Sequence, residues 1–164
     1  MTRKKTVIIT SCLIIAAILI AYLVFSALIG NSTTVYVNPQ AINSSVNQDF
    51  IINISVSRVS DLYAWEFKLN WTASILSVVN VTEGPFLKAG GTTSFFYNNA
   101  LQGHVRVWCT LSGNVSGVSG SGVLARIQFH VTGNGESKLD LYETTLFNPS
   151  ENSIANTVKS GEFT

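Results

Sequence analysis

Alternation with a period of two constrains this chain more than any other feature. In "DLYAWEFKLNW", Asp61 to Trp71, the side chains of Tyr63, Trp65, Phe67, Leu69 and Trp71 fall on one side of an extended backbone. Leu62, Ala64, Glu66, Lys68 and Asn70 fall on the other, because successive strand residues point to opposite faces. Five large apolar groups on one face require an apolar partner layer, so Glu66, Lys68 and Asn70 face away from it. The same alternation recurs at short spacing from residue 34 onward, and no segment there shows a sustained 3.6-residue apolar period; this predicts an all-β sandwich. The expected strands are Thr34 to Asn38, Phe50 to Val59, Leu62 to Trp71, Ile75 to Val81, Ser94 to Asn98, His104 to Leu111, Gly122 to Thr132 and Ser137 to Tyr142. Short pieces near Ile154 to Val158 and Glu162 to Phe163 follow. Turn-forming residues separate them: "NPQ" at 38–40, "EGP" at 83–85, "AGG" at 89–91, "QG" at 102–103 and "TGNG" at 132–135. A Gly-rich run at 112–122, "SGNVSGVSGSG", lacks the following helix and the Lys that a phosphate-cradling loop needs, and is expected to be a flexible connection.

A second constraint lies at the other end of the chain. After Arg3, Lys4 and Lys5, the 23 residues from Val7 to Ile29 carry no charge. A helix of that length spans roughly 35 Å at about 1.5 Å per residue, enough for a hydrocarbon core about 30 Å thick. Phe25, Leu28 and Ile29 interrupt the small residues Ser26, Ala27 and Gly30, so no clean small-x-small cleavage site is present. Residues 1–30 are therefore expected to form one uncleaved transmembrane signal anchor with its basic end in the cytoplasm. Residues 31–164 would form a single domain outside the cell, a length that suits one core.

That domain carries seven Lys and Arg against nine Asp and Glu, a net charge of −2. Nucleic acid is not an expected partner, because phosphate binding relies on clustered cations. Cys12 lies in the apolar run and Cys109 in a strand pattern, so no disulfide and no cysteine zinc site are expected; Val107, Cys109 and Leu111 share one face, which predicts a buried thiol. Asn31, Asn43, Asn53, Asn70, Asn80 and Asn114 each begin an Asn-x-Ser/Thr triplet, the acceptor pattern for glycosylation in an exported segment. His104 and His130, the only histidines, have no Asp or Glu within two to four residues, and no nucleophile motif, carboxylate pair or Asp-rich calcium loop is present. No enzyme activity, cofactor or metal is expected.

Taken in order, "VYVNPQ", "DFIINISVSRVSDLYAWEFKLNW", "ILSVVNVTEGPFL", "GHVRVWCTL", "GSGVLARIQFHVTGNGESKLDL" and the closing "SGEF" resemble the cohesin domain over residues 34–163. Cohesins are β-sandwich modules that bind dockerin modules in cellulose-degrading complexes and occur on archaeal and bacterial surface proteins. The most specific piece is "GVLARIQFHV" after its Gly-rich loop. One departure is that the third strand ends in Trp71, Thr72 and Ala73 where family members commonly carry Tyr-Asp-Pro.

The resemblance implies a jelly-roll β-sandwich of about nine strands, in which the third strand is flanked by those at 104–111 and 122–132. Alternation would then gather Ala64, Glu66, Lys68 and Asn70, His104, Arg106, Trp108 and Thr110, and Leu124, Arg126, Gln128, His130 and Thr132 on one outer surface. Glu66-Phe67 resembles the Asp-Phe of cohesins in which that Asp touches dockerin. The expected binding face is thus Glu66, Lys68, Arg106, Trp108, Arg126 and Gln128, with a dockerin-like protein module as partner. Alternatives are a carbohydrate-binding module acting on polysaccharide, or a structural component of the cell envelope. Alternation exposes Trp108 as the lone aromatic of this surface, which favours protein over a flat sugar chain.

Overall fold

The computed structural model of the protein describes residues 18–21, 32–98 and 102–164. Residues 18–21 are helical; the rest of the expected span Val7 to Ile29, together with Asn31, lies outside the described residues. Among the described residues no helix is long and apolar enough to cross a membrane.

From residue 33 onward the alternating runs become strands: β1 (Thr33–Asn38), β2 (Ala41–Ile42), β3 (Asp49–Leu62), β4 (Ala64–Asn70), β5 (Leu76–Glu83), β6 (Thr93–Tyr97), β7 (His104–Leu111), β8 (Val118–Val131), β9 (Ser137–Phe147), β10 (Asn156–Lys159) and β11 (Gly161–Phe163). They form a five-stranded sheet in the order β10-β1-β3-β8-β5 and a six-stranded sheet in the order β2-β11-β9-β4-β7-β6. Every pairing is antiparallel except β1 with β10 and β11 with β2. The expected β-sandwich is present, and the two-residue β2 is the strand that alternation is too short to reveal.

The inward faces are those the alternation selects. Ile52, Ile54 and Val56 of β3 and Ala125, Ile127 and Phe129 of β8 face Trp65, Phe67 and Leu69 of β4 and Val105, Val107 and Cys109 of β7, all buried. Burying a Val, Leu, Ile or Phe side chain contributes about 1.5–3 kcal/mol, so this layer is the main source of stability. Aromatic contacts organise it. Trp65 stacks on Phe67 at 5.6 Å, and Phe50 stacks on both Phe129 and Phe163 at 5.5 and 5.3 Å. Trp71 meets Phe129 edge-on, and its indole N–H donates to the Leu76 carbonyl at 2.8 Å. An aromatic residue thus still closes the third strand where the family's usual ending is missing.

Three expectations fail. Leu62, read on the outward side with Glu66, is buried, because it ends β3 and pairs with Val118 instead of belonging to β4. Leu124 is buried, not outward: Ile54 pairs with Ala125 but Ser55 with Val123, so Leu124 is the extra residue of a β-bulge and the phase of the alternation shifts there. The Gly-rich run is also no flexible connection, because β8 begins inside it at Val118. Asp61 and Arg58, both at positive φ, donate their backbone N–H groups to the hydroxyls of Ser119 and Ser121 at 2.8 and 3.0 Å. The Asp61 carboxylate accepts from the Gly117 N–H at 2.9 Å. A Cβ on Gly117 would lie 2.3 Å from the Asp61 carbonyl carbon, so glycine serves there as a point of close backbone approach. One feature with no signal in the pattern is the single-turn helix α1 (Pro85–Lys88), which begins with Pro at its first turn and buries Phe86 and Leu87 against the sandwich.

The locked connection has a measurable consequence. Gly117→Ala in the full-length chain is expected to lose more than about 2 kcal/mol, because backbone must move to admit the methyl group. Gly113→Ala, at φ +85 with no heavy atom within 4 Å, is expected to lose only about 1 kcal/mol from backbone conformation. Denaturant midpoints of the two variants check this, and equal losses contradict a fixed 112–122 segment.

Candidate functional site

β4 lies between β7 and β9, not between β7 and β8. Its neighbours therefore differ from those expected. Glu66 stands opposite Trp108 on one side and Thr145 on the other; Lys68 stands opposite Arg106 and Tyr142; Asn70 stands opposite His104 and Asp140. Arg126 and Gln128 belong to β8 of the other sheet, where Arg126 pairs with Asn53 and Thr82 and Gln128 with Ile51 and Asn80. They are not part of a face with Glu66. Of the six expected binding residues, Glu66, Lys68, Arg106 and Trp108 come together on one outer surface.

The geometry of those four is ordered. The Arg106 guanidinium donates from Nε to Glu66 Oε1 and from its terminal nitrogen to Oε2, both at 2.7 Å, a two-pronged pair across the β4–β7 ladder. The guanidinium carbon also lies 5.3 Å from the centre of the Trp108 ring, in cation–π range. Lys68 donates to Glu143 of β9. An extra residue in β9 between the Glu66 and Lys68 positions, with Glu143 at φ 44, bends that strand and aims the carboxylate at Lys68. Hydrogen bonding to Glu66, and then its charge, raises the Arg106 pKa above its ordinary value; the hydrogen bond from Lys68 to Glu143 raises that of Lys68. Both cations stay charged throughout the physiological range.

Three aromatic residues on this side have no counterpart in the expected surface, among them Tyr142 of β9, which stands opposite Lys68. Phe96 of β6 is opposite Trp108, stacks on it at 5.8 Å and 23°, and is 51% exposed. Phe147, at the end of β9, is also exposed and lines a depression of about 360 Å³ with Tyr63, Ala64, Thr110, Asn148 and Glu151. The signal for Phe96 was present but ambiguous, since Phe95, Phe96 and Tyr97 are consecutive aromatics and only strand register shows which one points out. Together these groups make a stripe running Phe96, Trp108, Arg106, Glu66, apolar at one end and charged at the other.

The remaining positions sort by sheet. Asn70 ends β4 on the outer surface, and its amide oxygen accepts from the Tyr142 hydroxyl at 3.2 Å. Asn53 and Asn80 lie on the outer side of the five-stranded sheet, while Asn43 and Asn114 are exposed outside the strands. His130 has a partner that sequence spacing does not show: its Nδ1 lies 2.6 Å from Asp49 Oδ1, across the β3–β8 pair, and this contact holds the Asp49 pKa below its ordinary value. Among the described residues no group of three His, Cys, Asp or Glu side chains is placed to hold a metal ion. Cys109 is buried as expected. Burial, and then the Glu83 carboxylate 3.5 Å from its sulfur, push the thiol up to about 12. Glu83 is not in a loop but ends β5, tucked inward with Lys88 at 3.3 Å.

Comparison with known proteins agrees with this architecture. The family model for the cohesin domain matches residues 35–164, and the chain belongs to that family. No curated protein matches it. Among solved structures, it is similar to a non-cellulosomal cohesin from the hyperthermophilic archaeon Archaeoglobus fulgidus, at 20% identity and a TM-score of 0.68, covering 80% of this chain and 89% of that one. It is also similar to the sixth cohesin of scaffoldin B from Acetivibrio cellulolyticus, in complex with a Cel5 dockerin, at 15% identity and 0.68, covering 80% and 97%. A type I cohesin–dockerin complex from Clostridium thermocellum matches at 14% identity and 0.68, covering 80% and 92%. Cohesin domains are protein-binding modules and not enzymes.

Proposed function

Because the chain is a cohesin domain, we propose that the outer surface of its six-stranded sheet binds a dockerin module, with Trp108 as the apolar anchor and Glu66, Lys68 and Arg106 as the charged groups that set orientation. The observation that carries this reading is the Phe96–Trp108–Arg106–Glu66 stripe. A half-exposed ion pair contributes about 0–1 kcal/mol to a fold, so the Glu66–Arg106 pair is poorly explained as a stabiliser. A tryptophan with a guanidinium over its ring and a second ring stacked against it is the kind of rigid, desolvatable group that dominates interfaces. Two of the similar structures are complexes with dockerins, which supports the same partner class here.

Phe96 also supports a second reading. Two stacked and partly exposed rings on an open sheet suit a sugar chain better than Trp108 alone, so a carbohydrate-binding role on the same surface competes with the first. The two separate on one experiment with full-length chain. Trp108→Ala and Glu66→Ala are titrated with isolated dockerin modules and with a neutral polysaccharide, and each variant is melted. Loss of about 2 kcal/mol, roughly thirtyfold, in dockerin affinity for Trp108→Ala with the melt nearly unchanged is expected. Unchanged affinity in both variants, or collapse of the fold in the first, rejects this surface; binding of the polysaccharide alone supports the second reading.

The domain is further proposed to be displayed outside the cell on an uncleaved anchor at Val7 to Ile29, with the acceptor asparagines carrying glycans mostly away from the binding surface. The charge-free run after Arg3, Lys4 and Lys5 supports this. The expected mature protein keeps Met1 to Lys5, stays with membranes after a carbonate wash, and loses its domain to protease added from outside. A mature N-terminus near Asn31 contradicts it.

A further inference from the structure

The seven Lys and Arg side chains of the sandwich divide into four with a carboxylate partner and three without. Lys68, Lys88, Arg106 and Lys138 each hold a carboxylate, from Glu143, Glu83, Glu66 and Asp140 respectively. Arg58, Arg126 and Lys159 have no carboxylate partner among the described residues, and all three belong to strands of the five-stranded sheet. Two of them, Arg58 and Lys159, open onto the same depression of about 430 Å³ beside β1.

The depression is built from β10, β1 and the bulged part of β3. Tyr36 of β1 stands between Ser55 of β3 and Lys159 of β10, and Thr34, Asn38, Pro39, Gln40 and Ser57 also line the wall. Among the described residues, none of the side chains of Tyr36, Asn38, Gln40, Ser57, Arg58 or Lys159 makes a hydrogen bond to the protein. Their donors and acceptors are therefore open to a ligand. Arg58 has φ +55, a backbone conformation uncommon for Arg. It is held there from both sides, its N–H donating to Ser121 Oγ at 3.0 Å and its carbonyl accepting from Thr33 Oγ1 at 3.1 Å. The root of its side chain is thus fixed at the rim. Of the nearby acids, Asp61 accepts from Gly117, and Glu162, whose backbone N–H donates to the Gln40 carbonyl at 2.7 Å, makes no ion pair with Arg58 or Lys159. No carboxylate offsets the two cations within ion-pair distance among the described residues.

We propose that this depression is a binding site for an acidic sugar, a uronic acid unit of a polysaccharide. Its carboxylate would sit between Arg58 and Lys159, its hydroxyls against Asn38, Gln40 and Ser57, and its ring on Tyr36. Two cations alone would attract any anion. Neutral amides and hydroxyls interleaved with them, beside an aromatic ring, match a ligand that carries one carboxylate among many hydroxyls and an apolar ring face. The volume falls in the roughly 300–1,000 Å³ range of small-ligand sites. The site lies on the sheet opposite the Glu66–Trp108 stripe, so it is independent of the dockerin reading, and the domain would hold a protein on one side and an acidic glycan on the other.

The test is calorimetric titration of the full-length chain, kept in detergent, with tetragalacturonate, a neutral tetrasaccharide and hexaglutamate. Tetragalacturonate is expected to bind, more weakly as salt rises, and the other two are not. Arg58→Asn, chosen because Asn tolerates positive φ, and Lys159→Gln are each expected to weaken binding by about tenfold or more, as truncation of one partner of a charge-assisted contact does. Arg126→Gln removes the third unpaired cation of the same sheet outside the depression and is expected to leave binding within about twofold, the small effect of a distant screened charge. Melts accompany each variant, and if Arg58→Asn fails to fold, Lys159→Gln decides. The proposal is overturned by no binding of tetragalacturonate at millimolar concentration, by equal binding of the neutral sugar or of hexaglutamate, or by Arg126→Gln weakening binding as much as Lys159→Gln.

Discussion

The apolar layer between the two sheets is the constraint on which everything else in this domain depends. Each strand has two faces and only one can enter that layer, so burial of Trp65, Phe67 and Leu69 places Glu66 and Lys68 in solvent, and burial of Val105, Val107 and Cys109 does the same for Arg106 and Trp108. The outer surface is a by-product of the inner one. A slip of one residue in β4 would bury Glu66 and Lys68 and expose Trp65 and Phe67, a change no sandwich of this size tolerates. The register that makes the core therefore also brings Glu66, Arg106 and Trp108 together on the outer surface.

The same logic explains why the two outer surfaces differ in chemistry. On the six-stranded sheet cations are matched by carboxylates on neighbouring strands, giving a surface with local charge order and little net charge. On the five-stranded sheet Arg58, Arg126 and Lys159 are unmatched, and the asparagines of two glycosylation-type triplets, Asn53 and Asn80, stand among them. A bulky glycan on that side would leave the Trp108 surface open.

Much of this was legible in the sequence, and the failures share a cause. Alternation shows which side of a strand faces the core, and it did so for β4, β7 and most of β8. It carries no information about which strands are hydrogen-bonded neighbours. Arg126 and Gln128 do point outward as read, but from the wrong sheet, because β8 pairs with β3 and β5 while β9 takes the place beside β4. Leu124 was misassigned because a bulge shifts the phase by one residue, and the Gly-rich segment because its glycines permit close approach to Asp61, which composition reads as flexibility. Phe96 was hidden in a run of three aromatics, and the Asp49–His130 contact joins residues far apart in the chain. Each miss is a long-range fact, invisible to any local period.

We propose that recognition occurs on the outer surface of the six-stranded sheet. The most direct measurement is an NMR footprint of a bound dockerin module on the isotope-labelled full-length chain. The Trp108 indole N–H, the Arg106 Nε–H and the backbone amides of β4, β6 and β7 are predicted to shift on binding, while those of Asn80 and Thr82 in β5 stay where they are. A footprint centred on β5 and β8, with the Trp108 indole unmoved, would contradict it.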